Sequence, residues 1–314
     1  MTLACLIISY ARKDNVLQLV EAVSKAGIEK IYISIDGPGD QEIKSIQSEL
    51  KSDLANWHSL HLTQVQIWQR KRNFGSGASV IASLDWVFAN EEEVIVLEDD
   101  LEVRGQFFNF MKFGLRQMKN HPNLKIVTGT NPFPEVTQNR FGKLHYPVAW
   151  GWATNRANWL ELRKLLFGDF PTKSMHFHLN KDLYWRIGKK RALKGQIEAW
   201  DVPLASEMYK TPYYTLLPPA NLVRNIGFDR HAAHTSAAIW PLNLSITEYS
   251  VAENSELTPL MFVDLGKEFE NKIFKIRLHH IVSWIFHKTI DRYRFKPDVT
   301  TLQDRVLMEG YPSK

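Results

Sequence analysis

The feature that most restricts this chain is the alternation of strand and helix signals through its first hundred residues, the pattern of a mostly parallel sheet with crossover helices. Leu3 to Ser9 (LACLIIS) is a compact apolar run, and Asn15 to Ala26 puts Val16, Leu19, Val20 and Val23 on one helical face. Lys30 to Ile35 (KIYISI) reads as a second strand and stops at Asp36-Gly37-Pro38-Gly39-Asp40, a strong turn signal. A helix is expected over Gln41 to Asp53, a strand over Gln64 to Trp68 and a helix over Gly77 to Phe88. Val94 to Leu97 then runs straight into Glu98-Asp99-Asp100. Each of these strands ends in polar residues on its C-terminal side, where open α/β sheets bind ligands.

Further on, the pattern predicts a helix over Gly105 to Lys119, a strand over Lys125 to Gly129 and an apolar, glycine-containing segment over Val148 to Ala153. Helices follow over Asn155 to Leu166 and Leu183 to Leu193, then a strand-like stretch from Tyr213 to Leu217. The expected organisation is an α/β domain over 1–248, built from halves 1–130 and 131–248, with a helical extension over 249–314. Within that extension, 268–295 interleaves Lys, Arg and His with Ile, Phe and Trp. It suits a helix packed on the domain, since its apolar positions spread beyond one face; peripheral contact with an anionic membrane surface is the alternative.

Composition removes several classes. With 44% hydrophobic and 23% charged residues the chain can bury a core, so disorder and fibrous repeats are not suggested. The single cysteine, Cys5, lies in an apolar run, which excludes a disulfide framework and a Cys-based metal site and fits a reducing cytosol. Leu3 to Ile8 lacks the basic flank and length of a secretion signal. No stretch approaches the roughly 18 to 20 apolar residues of a spanning helix. A cytoplasmic protein is expected, soluble or peripheral at the inner face of the membrane. A net charge of +5 suits anionic partners such as nucleotide diphosphates, and no nucleic-acid motif accompanies it.

Three consecutive carboxylates at a strand end repel one another unless a cation shares the site. Hard oxygen ligands suit Mg²⁺ or Mn²⁺, which typically bridge one or two carboxylates to substrate phosphates. An exposed acidic loop is the plainer alternative.

Val94 to Met111 (VIVLEDDLEVRGQFFNFM) resembles the metal-binding segment of the inverting N-acetylglucosaminyltransferases that act on N-glycans and on O-mannose. Arg72 to Phe88 (RNFGSGASVIASLDWVF) is similar to the segment preceding that strand in the same group, so the likeness is contiguous over about forty residues. It implies a GT-A fold, a nucleotide-sugar donor, UDP-linked in that group's manner, and a glycan or glycolipid acceptor. The half 1–130 would bind the donor and 131–248 the acceptor. Asp100 would hold the metal, with Glu98 and Asp99 near the donor sugar and ribose.

The same resemblance makes Ser9-Tyr10-Ala11-Arg12 and Ser34-Ile35-Asp36-Gly37 the loops around the nucleoside, with Arg12 near the diphosphate and Asp36 on the base. A carboxylate can accept from a uracil N–H, and an arginine can neutralise phosphate in a bidentate fashion. A helix N-cap region and a simple turn are the structural alternatives. Arg72 and Asn73, before the Gly75–Gly77 helix start, offer charge and close backbone approach to a diphosphate, although no phosphate-loop motif is complete.

Displacement at an anomeric carbon needs a carboxylate to take the acceptor's proton. Asp201, in Glu198-Ala199-Trp200-Asp201, is the candidate, because Trp-Asp here resembles the base-bearing segment of that group. The resembling enzymes carry two consecutive acids where this chain has Asp201-Val202, so Glu207 and Asp182 stand in reserve, and a helix N-cap is the structural alternative. Asn225-Ile-Gly-Phe through His234-Thr235 resembles a segment of bacterial sugar transferases. It implies His234, with His231 second, as a further metal ligand, and Arg224 and Asn225 at the donor phosphates. Trp152, in Trp150-Gly151-Trp152, matches an element near the donor sugar, and apolar core accounts for it equally well. The rival readings are a sugar nucleotidyltransferase, which would want a glycine-rich loop after the first strand, and a non-catalytic carbohydrate- or membrane-surface-binding protein.

Overall fold

The computed structural model describes residues 3–168, 179–227, 244–251, 256–274 and 301–307. At its centre is β1 (Leu3–Ser9), an apolar run long enough to cross the molecule and buried on both faces. β2 (Lys30–Ile35) and then β3 (Gln64–Gln69) pair parallel to it on one side, and β4 (Glu93–Glu98) pairs parallel on the other. Beyond β4 the nine-stranded sheet continues through β8 (Trp152–Asn155), β6 (Leu124–Thr128), β9 (Tyr214–Leu217), β7 (Phe141–Leu144) and β11 (Phe262–Asp264). Antiparallel pairings at β4–β8, β6–β8 and β7–β9 interrupt an otherwise parallel sheet. A separate antiparallel ribbon joins β5 (Leu101–Val103) to β10 (Val223–Asn225).

Helices cover both faces. Along β1 the side chains alternate: Cys5 and Ile7 enter a core with α1 (Lys13–Lys25), α2 (Gln41–Leu60) and α4 (Gly105–Gln117). Ala4 and Leu6 enter the opposite core with α3 (Gly75–Phe88), α6 (Arg156–Phe167), α8 (Asp201–Met208) and a terminal helix, Leu302–Leu307. This two-sided burial is why the strands read as continuous apolar runs. α3 is apolar nearly all round and buried from Gly77 to Phe88 except at Asp85, because the sheet lies beneath it and the terminal helix above. Short α5 (Pro134–Thr137) and α7 (Leu179–Leu193) follow in the second half, α7 packing on α8.

The α/β sheet-and-helix class expected from the sequence is present. α2 runs past its expected end at Asp53 to Leu60, since buried Leu54 continues the Leu50 stripe and Trp57 Nε1 donates to Glu21 on α1 (3.1 Å). β7, β10 and β11 had no counterpart in the sequence reading; at three or four residues they carry no periodicity. β11 and the terminal helix come from the stretch expected to form a helical extension, yet one completes the sheet and the other packs on α3. Residues 275–295, most of the basic stretch, lie outside the described residues. Among the described residues no helix is long and apolar enough to cross a membrane.

The chain starts at β1, walks outward to β3, and returns to place β4 on β1's other side. The strand order therefore reverses between β1 and β4. Such a reversal is the place where open α/β sheets bind ligands. Ser9, Asp36 and the Glu98–Asp100 triplet all leave the sheet at this end.

Candidate functional site

The three acids of the triplet have three different environments. Asp99 is 6% exposed, and its Oδ2 accepts from the backbone N–H groups of Tyr10 (2.6 Å), Ala11 (3.2 Å) and Arg12 (3.4 Å) and from Ser9 Oγ (3.2 Å). Its Oδ1 pairs with the Arg12 guanidinium at 3.1 Å. Asn15 donates to the Asp99 carbonyl (2.8 Å) and the Leu101 carbonyl (3.0 Å), binding α1 to the triplet's backbone. Asp99 thus satisfies the amides that follow β1, the role a helix-capping carboxylate plays from a distant strand.

Asp100 has the opposite character. Its Oδ2 accepts from Asn225 (3.1 Å), while its Oδ1 is buried without a hydrogen-bond partner. Burial and the neighbouring Asp99 push its carboxyl up to about 6, against the pull of Arg12. Residues 225–227 wrap it closely: Ile226 N–H donates to the Asp100 carbonyl (2.7 Å), and a Cβ on Gly227 would fall 2.7 Å from Oδ2. Glu98 is raised well above the ordinary carboxylate range, first by burial, then by Asp100, Asp99 and Asp201. Asp201, in the first turn of α8 a hundred residues further along the chain, is among the charges that act on Glu98.

An unpartnered buried carboxylate oxygen, beside acids that raise one another, is a donor set short of positive charge. It fits a hard divalent cation held by one carboxylate and by substrate phosphates. Among the described residues no group of three His, Cys, Asp or Glu side chains is set to hold a metal alone. His231 and His234 lie outside the described residues. Replacing Gly227 with alanine is expected to crowd Asp100, costing about 1–3 kcal/mol of stability; chemical denaturation reads it.

On the other side of β1, Asp36 is 5% exposed and accepts from the backbone N–H of Gly37 (2.9 Å), Phe74 (3.0 Å) and Gly75 (3.1 Å). Burial lifts its carboxyl to about 6 despite the Arg70 charge and these amides. Asp36 thereby fastens the Arg72–Gly75 loop to the end of β2. Its capacity as an acceptor is spent largely inside the protein. Tyr10 is half-buried, with its hydroxyl bonded to the Gly39 backbone and the Asn73 side chain, while Asn73 Oδ1 accepts from Gly75 N–H (2.9 Å). Arg72 is exposed at the rim.

Of the remaining expected residues, Arg224 stands on β10 half-exposed and pairs with Glu102 across the ribbon at 3.0 Å. Trp152 is 1% exposed and stacks on Trp200, with centroids 5.5 Å apart, in agreement with the core account of this residue. The reserve acids are engaged elsewhere: Glu207 holds Lys189 (3.0 Å) and Lys210 (3.3 Å), and Asp182 accepts from the Tyr209 hydroxyl. Of the acids considered for the base, Asp201 is the one whose charge is felt at the triplet.

Several contributors escaped the sequence reading. Buried Gln47 donates to the carbonyls of Tyr10 and Asp36, both at 2.9 Å, clamping the ends of β1 and β2 together. A polar residue on the Ile43–Leu50–Leu54 face of α2 was the available signal. Arg70, 2% exposed, donates to Ser34, Ser79 and Ser83 beneath the same loop, and was hidden within the run Arg70-Lys71-Arg72.

No protein-family model and no curated protein matches the chain. Solved structures that resemble it include a UDP-glucose pyrophosphorylase complexed with UDP-glucose (7% identity, 69% of this chain and 90% of that one, TM-score 0.37). Others are a 4-diphosphocytidyl-2C-methyl-D-erythritol synthase from Anaerococcus prevotii DSM 20548 (11% identity, 54% and 77% covered, TM-score 0.33) and the glucosyl-3-phosphoglycerate synthase of Mycobacterium tuberculosis in complex with Mn²⁺, UDP and phosphoglyceric acid (10% identity, 52% and 57% covered, TM-score 0.33). Likeness this loose carries no argument about chemistry.

Proposed function

We propose that the chain is a metal-dependent, inverting glycosyltransferase of the GT-A type that moves a sugar from a nucleotide-sugar, UDP-linked, to a hydroxyl of a glycan or glycolipid. The observation that carries this reading is Asp100, its buried Oδ1 unpartnered beside Glu98 and Asp99 at the point where the strand order reverses; the charge of Asp201 acts on Glu98 there. The tie to the N-acetylglucosaminyltransferase group rests on the sequence likeness alone.

In this reading Asp100 would hold Mn²⁺ or Mg²⁺, with His234 as a further ligand. When bound, such an ion supplies positive charge to the departing diphosphate. Asp201 takes the proton from the acceptor hydroxyl as that oxygen bonds to the anomeric carbon. The bond from that carbon to the diphosphate oxygen breaks with its electron pair leaving on the diphosphate. Glu98 faces the donor sugar. Asp99 and Asp36 act one step back, fixing the loops Ser9–Arg12 and Arg72–Gly75 between which the nucleotide sits, with Tyr10, Arg72 and Asn73 as its contacts and Arg224 at the phosphate edge.

The amides of Tyr10, Ala11 and Arg12 are occupied by Asp99, which leaves them poor cradles for a triphosphate and favours glycosyl over nucleotidyl transfer. A panel of nucleotide-sugars assayed for Mn²⁺-dependent hydrolysis tests the proposal and identifies the donor. Asp201→Asn is expected to lower transfer by about 10²- to 10⁴-fold while leaving metal-dependent UDP affinity within a factor of about three. Binding of no sugar nucleotide, or full turnover by Asp100→Ala, would sink the reading. Release of pyrophosphate from a nucleoside triphosphate and a sugar phosphate would replace it with the nucleotidyltransferase.

A further inference from the structure

Arg305, on the terminal helix, is 2% exposed and its Nη1 donates to two acceptors, the Phe74 carbonyl at 2.6 Å and Glu198 Oε1 at 2.7 Å. Its Nε and Nη2 are buried with no hydrogen-bond partner, as is the second oxygen of Glu198. A buried ion pair so incompletely satisfied is a poor source of stability; an apolar pair of similar volume would serve at least as well. What the pair does supply is a fixed geometry between two segments distant in sequence.

Those segments are the two sides of the proposed site. The backbone of Phe74 is gripped on both sides of its Cα, its N–H by Asp36 at the end of β2 and its carbonyl by Arg305. Glu198 is gripped at its carboxylate by Arg305 and at its backbone carbonyl by Ser76 Oγ (3.0 Å). Trp200 then stacks on Trp152 and Asp201 opens α8. The seat for Glu198 exists because position 75 is glycine: its φ is +78°, and a Cβ there would lie 2.3 Å from Glu198 Oε2. The strand end that holds the donor-side loop, the start of α3 and the start of α8 are thus joined at one guanidinium.

We infer that Arg305 is a positioning residue: acting through Glu198 and Phe74, it sets the place of Asp201 relative to the donor-side loop. The inference rests on the glycosyl-transfer reading for its kinetic consequence, but not for its structural one. Hydrogen exchange of the full chain, read by mass spectrometry, separates the two. Arg305→Gln is expected to speed exchange about tenfold in both 73–77 and 198–203. Leu302→Ala, which trims the apolar contact of the same helix but keeps the guanidinium, should speed exchange at 198–203 much less than Arg305→Gln does. With donor and acceptor saturating, Arg305→Gln should lower kcat by about 10- to 100-fold with donor KM changed less than threefold, and Arg305→Lys should recover most of the loss. If Arg305→Gln fails to fold, Glu198→Gln, which keeps shape and removes the charge, is expected to give the same exchange pattern. Unchanged exchange at 198–203 in the variants, or an equal effect from Leu302→Ala, overturns the inference. A wild-type chain that binds no nucleotide-sugar while the exchange pattern holds would instead overturn the glycosyl-transfer reading and leave the coupling standing.

Discussion

Asp100→Asn is expected to melt at a higher temperature than the wild type at pH 7.5 without metal, and to bind UDP no better with Mn²⁺ than without it. Asp100 is an acid whose folded-state carboxyl is raised to about 6 from an ordinary value near 4. The folded chain binds that proton more tightly than the unfolded chain does, so stability from this group falls as pH rises between about 4 and 6. Above 6 the full penalty is in place. At about 1.4 kcal/mol per pH unit the ceiling is about 3 kcal/mol; coupling to Glu98 and the water reaching the rim reduce it to about 1–2 kcal/mol, or a few degrees. The gain of the variant should vanish as pH is lowered from 6 toward 4, where both forms are neutral. Saturating Mn²⁺ with UDP should raise the wild-type melting temperature and leave the variant unmoved. A variant less stable than wild type at pH 7.5, or one still stabilised by Mn²⁺ with UDP, contradicts this account of Asp100.

One residue earlier the sign reverses. Asp99→Ala is expected to cost about 3–5 kcal/mol. It strips acceptors from the amides of residues 10–12 and from Ser9 Oγ, and leaves the Arg12 guanidinium, whose side chain is 15% exposed, without its carboxylate. Asp99→Asn should recover only a minor share, because an amide presents one acceptor where the carboxylate offers two. Chemical denaturation at neutral pH measures both. A midpoint for Asp99→Ala close to that of wild type would show the contacts to be energetically idle. Neighbouring acids with opposite effects on stability distinguish a group that builds the site from one kept unsatisfied within it.

The sheet's centre was legible because β1, β2 and β4 are apolar runs that end in unmistakable polar stops at Ser9, Asp36 and Glu98. The acids were legible for the same reason. Their division of labour was not, because which carboxylate meets Tyr10 N–H depends on β4 lying beside β1, a pairing between residues ninety apart. Asp36 was read as a contact for the base, and the fold spends it on its own loop. Arg305 carries no local pattern at all. Its meaning arises when the terminal helix lands on α3, and nothing between 301 and 307 announces where it will land.

The loops at the carboxyl ends of β1 and β2 are held by the protein's own carboxylates, Asp99 on residues 10–12 and Asp36 on 37, 74 and 75. Much of the ordering that a ligand would otherwise impose on these loops has therefore been completed during folding. A nucleotide bound as proposed would lose its own freedom and freeze little of the chain's. Its arrival should follow single-step kinetics, with an observed rate that climbs linearly with concentration and shows no plateau from a slow rearrangement.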